Sequence, residues 1–334
     1  MSLKLEAFFV VPREWMGDRM KDTADRAVRV FELLRDDLGL ARAWGLSAQP
    51  AWNENRYDEA ARQFARALVH ARRTGNEREE LIALNAFLQA MYFGSAHVTQ
   101  VRPEIESFLG RVGEISGEGF RAVLTLAGLS AMEGKAEESR QLFNRAKSIG
   151  KQMGLAWAPA TLGLFAEEVG LLLGDAAFAE RELRAGYEFL ESIGERGIRS
   201  TTATHLAEAL HQLGRDAEAE RFADLSLELA STDDIASQAR GRAVKARLLA
   251  ARGNHVAAQN LAREAVELSE QTDDLYMHGQ VLIALAEILR IAGRNDEAIP
   301  VLDAAVEVSE RKGNAVTAGR ARSQLADLQA GSRV

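Results

Sequence analysis

Between Asp234 and Glu264 the chain carries no acid, while Arg240, Arg242, Lys245, Arg247, Arg252 and Arg263 supply six positive charges. The 334-residue chain as a whole is acidic, with 41 Lys and Arg against 49 Asp and Glu and a formal charge of −8. A guanidinium is a planar fork that matches a carboxylate or phosphate with two parallel hydrogen bonds. Two readings of the basic stretch stand side by side. It pairs with carboxylates of neighbouring elements, Glu208 and Glu287 being the candidates, or it clamps an acidic peptide or a ligand carboxylate or phosphate. Lys245 can instead run its alkyl stem along a packed face and leave its ammonium in water.

Other chemistry is sparse. His205, Glu208 and His211 follow each other at three-residue steps. On a helix such steps fan by about 60°, so the outer pair diverges by about 120° instead of converging on one metal. The i, i+4 histidine spacing of a zinc helix is absent. The group reads as a polar inner face, with no metal and no cofactor. Gly128 to Gly134-Lys135-Ala136 comes nearest to a phosphate-binding loop. It has one residue too many, Ala where a hydroxyl should hold magnesium, and no preceding strand. There is no Cys, which removes thiolate metal sites, disulfides and a Cys nucleophile. No G-x-S-x-G elbow for a serine nucleophile occurs. The residues predict a protein that is not an enzyme.

The elements that carry these residues recur. Gly94, Gly134, Gly174, Gly214, Gly253 and Gly293 are separated by 40, 40, 40, 39 and 40 residues, and Asn55 lies 39 before the first. A second punctuation follows each by 19 or 20 residues, at Gly75, Gly113, Gly154, Gly194, Asp233, Asp273 and Gly313. The segments between are rich in Ala, Leu, Glu, Arg and Gln, with apolar residues at steps of three and four, as in Leu282, Leu285, Ala286 and Leu289. That is the composition and period of amphipathic helices, and no window alternates like a strand. Five residues after each turn stand Ala60, Thr99, Ser139, Ala179, Ala219, Ala258 and Ala298, all small. Two helices joined by a short turn press their backbones together, and small residues at the contact permit it. Large apolar residues such as Phe64, Phe143, Leu183 and Leu302, nine residues after the turn, then fill the space alongside.

The turn sequences GRNDEA (293–298), GRDAEA (214–219) and NRYDEA (55–60) resemble those of tetratricopeptide (TPR) repeats, here with longer helices than the usual period of about 34 residues. The unit with GSAHVT at 94–99 and Pro103 departs most from the pattern. The stretches at 179–197, 261–275, 285–298 and 311–328 are similar to the C-terminal TPR region of large bacterial signalling proteins. In those proteins a class III adenylate/guanylate cyclase domain is joined to a STAND-type ATPase. Maltose-regulator-like and LuxR-type transcription activators carry related regions. The first helix of each TPR pair lines the concave groove. The resemblance therefore implies that Arg240 and Arg247 face the groove from the sixth pair, Thr204, Glu208 and His211 from the fifth, and Gln280, Glu287 and Arg290 from the seventh.

The architecture expected is all-α, a right-handed superhelical solenoid of about seven hairpins with flanking helices. Residues 1–7 read as a cloning remnant or disordered lead, and 8–330 as a single repeat domain. Within it, lead-in helices cover 8–36, repeats run from about 38 to 314, and a capping helix spans 315–329. The function implied is a non-catalytic interaction or regulatory module, the sensor or scaffold region of a bacterial cyclase–ATPase or transcription regulator. Its partner would be a protein or peptide in the groove, with an upstream ATPase or cyclase domain in the parent protein. A stand-alone adaptor and a small-molecule sensor with its ligand inside the superhelix are the alternatives. The acidic balance argues against nucleic acid binding, no apolar stretch approaches the roughly 18 residues of a membrane span, and the location expected is cytoplasmic.

Overall fold

The computed structural model describes residues 17–331. The expected lead at 1–7, and residues 8–16 of the expected lead-in helices, lie outside the described residues. The described chain is helical and contains no strand. It divides into two compact units, one of residues 17–96 with 272–274, the other of residues 97–271 with 275–331.

The first unit holds α1 (Gly17–Leu34), α2 (Asp37–Asn53), α3 (Tyr57–Arg73) and α4 (Glu77–Phe93). Consecutive helices pack against each other. The Asp36 side chain caps α2 on the Gly39 amide, and Asn76 caps α4 on that of Glu79. Between α2 and α3 the chain turns at Asn55, whose φ of 57° is left-handed, a conformation Asn tolerates better than most residues. Alanines then admit close approach, with Ala48, Ala51, Ala60 and Ala90 buried around Phe64. Trp52 fills the end of this core edge-on to Tyr57, Phe93 and Phe64, at ring separations of 5.2, 5.8 and 6.3 Å.

The second unit begins with α5 (Val98–Val112), which packs on α6 (Gly117–Met132). Hairpins follow: α6 with α7 (Ala136–Gln152), α8 (Ala158–Ala166) with α9 (Ala176–Ser192), and α10 (Gly197–Gln212) with α11 (Asp216–Leu229). Then come α12 (Ile235–Ala251) with α13 (His255–Ser269), and α14 (Leu275–Ile291) with α15 (Asn295–Lys312), and α16 (Ala315–Gly331) closes on α15. The turn glycines 134, 174, 214, 253 and 293 have φ between 72° and 81°, which ends each first helix with a left-handed residue. The contact positions Ser139, Ala179, Ala219, Ala258 and Ala298 are all 0% exposed. First helices are the more deeply buried, as in α14, where Leu282 to Ala286 are all interior; second helices bury one stripe.

The second expected repeat differs. Its two helices, α4 and α5, fall in different units. Gly94 has a φ of −81° and a ψ of −158°, so it is extended and no left-handed turn forms. Its glycine serves close approach instead, since a Cβ there would lie 2.6 Å from an Asp58 carboxylate oxygen. The helix after it also uses another face. Thr99 and Pro103, five and nine residues after Gly94 on the expected register, are exposed, while Val98, Val101, Ile105 and Phe108 are at most 2% exposed. The apolar stripe starts one residue earlier, and the residues follow the stripe.

A second departure lies in α8, whose last turns widen into a π-helix at Glu167–Leu172. Such wide turns gather at functional sites. This one packs so tightly that a Cβ on Gly170 would come within 2.7 Å of that of Ala179. At the other end of the unit α16 reaches back to α6. Val316 lies 3.6 Å from where a Gly134 Cβ would stand, and Gly313 sits against His97 and Val98. The two ends of the unit thus meet, and its inner face surrounds an interior.

Candidate functional site

The interior of the second unit is polar, and an arginine organises it. Arg247, on α12, places one nitrogen 2.9 Å from a Glu208 oxygen on α10 and another 3.0 Å from Glu287 on α14. Glu287 also accepts from Arg320 of α16 at 2.7 Å, so four helices meet in one ionic chain. Burial opposes charging any of these groups, but the pairing outweighs it. The Arg247 pKa is pushed up and those of Glu208 and Glu287 are held below the usual carboxylate range. All three are therefore ionised at neutral pH.

A second group lies beside it. The π turn turns two adjacent acids inward, with Glu167 7% and Glu168 6% exposed. The Tyr276 hydroxyl donates to Glu167 at 2.6 Å, and Arg240 lies 3.4 Å from the same oxygen. Burial, and then the nearby carboxylates, raise the Tyr276 pKa well above its ordinary value. His205 is 8% exposed, and neither ring nitrogen has a hydrogen-bond partner. Burial and the neighbouring Arg240 charge drive its pKa well below the ordinary histidine value, so the imidazole is neutral.

These side chains bound two adjoining cavities that share Glu208, Gln212, Arg247 and Arg320. The inner one, about 50 Å³, takes in Glu167, Thr204, His205, Arg240 and Gln280; that volume suits a few waters. The wider one, about 630 Å³, is bounded by His211, Glu287, Ile288, Arg290, Ile291 and Leu328 among others, and falls in the range of ligand sites. Each of the eight residues singled out from the sequence borders one or both cavities. Their roles differ. Thr204 is 1% exposed and bonds Ser226 and the Ser200 carbonyl, as a packing residue does. His211 pairs with Asp216 at 2.8 Å, and Gln280 donates to Thr317 at 3.2 Å. Arg290 is half-buried and has no ion-pair partner among the described residues.

The basic stretch pairs internally throughout. Besides Arg240 and Arg247, Arg242 meets Glu264, Lys245 meets Asp224, Arg252 meets Glu220 and Arg263 meets Glu297. Lys245 remains one-third exposed. Sequence reasoning missed Glu167, Glu168, Tyr276 and Arg320. The signal for the first two was present, since two acids interrupt the otherwise apolar run from Leu162 to Leu173. Among the described residues no group of three or more His, Asp or Glu is placed to hold a metal, and no helix is long and apolar enough to cross a membrane.

Paired helices with left-handed glycine joints and alanine contacts define the architecture, and solved structures share it. The chain is similar to a signal-transduction ATPase with numerous domains (STAND) protein with a tetratricopeptide repeat sensor from Pyrococcus horikoshii. The identity is 11% and the TM-score 0.53, over 94% of this chain and 54% of that one. It is similar also to the apo form of the quorum sensor NprR from B. thuringiensis, at 12% identity and a TM-score of 0.53, over 90% and 81% of the two chains. A third is a Rap protein complexed with Competence and Sporulation Factor, at 12% and 0.53, over 88% and 76%. The fold is a TPR-like α-solenoid. No family model and no curated protein matches the chain. It spans about half the length of the STAND protein.

Proposed function

We propose that the TPR-like chain is a non-catalytic binding and regulatory module that receives a short protein or peptide segment at the inner face of its second unit. The observation that carries this reading is the cavity of about 630 Å³ bounded by α10, α12, α14 and α16. Polar groups set by ion pairs line it, and aliphatic side chains stand beside them. The likeness to a TPR sensor, to a quorum sensor and to a Rap protein complexed with a factor supports a sensing role. Its place would be cytoplasmic, as the sensor region of a cyclase–ATPase or transcription-regulator protein, where occupancy would bias an attached ATPase between states. The size of the cavity also favours a second reading, a small effector in the same place.

Selection of a random displayed-peptide library on the immobilised chain tests the main reading. Ala251 lines the cavity, so Ala251→Trp obstructs it. The expected result is enrichment of peptides whose binding is lost in Ala251→Trp while its helical circular dichroism is kept. Peptides that bind both proteins equally, or no enrichment, would refute it.

A further inference from the structure

The ionic pairing of the interior leaves one arginine over. Four arginines border the two cavities, Arg240, Arg247, Arg290 and Arg320, against three glutamates, Glu167, Glu208 and Glu287. With Glu168, buried beside Glu167, four acids accompany the four arginines, so the pairing and not the sum singles out one cation. Three of the four cations are committed: Arg240 to Glu167, Arg247 to Glu208 and Glu287, and Arg320 to Glu287. His211, the other basic group of the wide cavity, is turned to Asp216. That leaves Arg290, which is half-buried without an ion-pair partner among the described residues. A guanidinium at a cavity wall with no carboxylate paired to it is open to pairing with a bound anion.

The surroundings of Arg290 restrict the anion further. Ile291 borders the cavity on the same helix, and Leu328 borders it from α16. Ile291 is 57% exposed, an aliphatic surface beside a free cation. We infer that the wide cavity selects an acidic peptide segment, its carboxylate paired with Arg290 and a neighbouring aliphatic side chain against Ile291 and the edge of Leu328. A planar carboxylate matches the arginine fork, and the aliphatic contact supplies the burial that a lone exposed ion pair lacks.

This inference rests on the binding reading above, and the same selection separates the two. The recovered peptides are sequenced, and one is titrated by fluorescence anisotropy against wild type, Arg290→Glu, the milder Arg290→Gln and Arg311→Glu. Arg311 is an exposed cation at the end of α15 that borders neither cavity. Circular dichroism and melting temperature check that each variant is folded, and Arg290→Gln carries the test where the charge reversal is not. Enrichment in Asp or Glu next to Leu, Ile or Val is expected. Affinity should fall at least tenfold in either Arg290 variant, hold within twofold in Arg311→Glu, and weaken with added salt. Peptides that are neutral or basic yet lost in Ala251→Trp would leave the cavity as a binding site and overturn its acidic selectivity. Acidic peptides indifferent to both Arg290 variants would overturn it too, and no enrichment would sink both readings.

Discussion

Glu167 on the π turn and Tyr276 on α14 lie 109 residues apart in sequence and share a buried hydrogen bond of 2.6 Å. Neither is on a hairpin neighbour of the other. The bond exists because the second unit curves far enough for its inner face to meet itself, with Arg240 as the third member of the contact. Two elements of the repeat are thereby joined through their polar side chains, whereas adjacent hairpins are joined through apolar ones.

Replacing Tyr276 by Phe tests what that bond contributes. The ring still fills its space, but Glu167 loses its best-placed neutral donor in a dry setting. We expect a loss of about 1–3 kcal/mol of unfolding free energy, the usual cost of stranding a buried acceptor. Urea denaturation followed by circular dichroism checks it. An unchanged midpoint would mean that Arg240 or water satisfies Glu167 equally well.

Arg247 is the more severe case. Truncation to Met removes the cation that touches both Glu208 and Glu287 while keeping most of the aliphatic volume. Breaking a buried pair from one side costs about 3–5 kcal/mol, because the abandoned charge remains. Adding Glu208→Gln and Glu287→Gln to Arg247→Met should recover most of the loss. Failure of the triple variant to recover would assign the cost to packing and not to charge. Arg247 is accordingly a poor position at which to test ligand binding by charge reversal, and Arg290 a good one.

The hairpin register makes a paired prediction. Ala219 is 0% exposed at the contact of α11 with α10, whereas Thr99, its counterpart in the departing repeat, is exposed. Ala219→Leu should destabilise by about 1–3 kcal/mol through overpacking, and Thr99→Leu should stay within about 0.5 kcal/mol. Thermal melts of the two variants decide it, and equal shifts would contradict the assigned contacts.

How far the sequence exposed this arrangement depends on which residues carry a period. The glycine marks and the small residues five positions later repeat, so the joints at 134, 174, 214, 253 and 293 were legible. Gly94 repeats in type but not in role. A glycine that opens a left-handed turn and one that lets Asp58 come close are the same letter. The π turn left no mark, since the spacing from Gly154 to Gly174 is the ordinary 20 and the widening is absorbed within the helix. The groove-facing register brought Glu208, Arg247 and Glu287 to one place because all sit on first helices at equivalent positions. Glu167 and Tyr276 meet through the curvature of many hairpins, which no local spacing encodes.

His205 gives a pH-dependent prediction that singles out one group. Folding holds its imbalance in one direction: the buried ring beside Arg240 resists a proton that the unfolded chain accepts. Below the ordinary histidine pKa of about 6.5 the unfolded state therefore binds more protons, and stability falls as pH falls, by up to about 1.4 kcal/mol per pH unit from this group. Above pH 7 both states are neutral at this position and the contribution is flat. Leucine at 205 removes the titration together with two buried nitrogens that lack hydrogen-bond partners. Urea midpoints of wild type and His205→Leu, measured from pH 5 to 8, should run parallel above pH 7. Below about pH 6.5 wild type should lose stability faster, so that the curves part as acid is added. Curves that stay parallel down to pH 5 would show that the imidazole takes up its proton inside the folded protein.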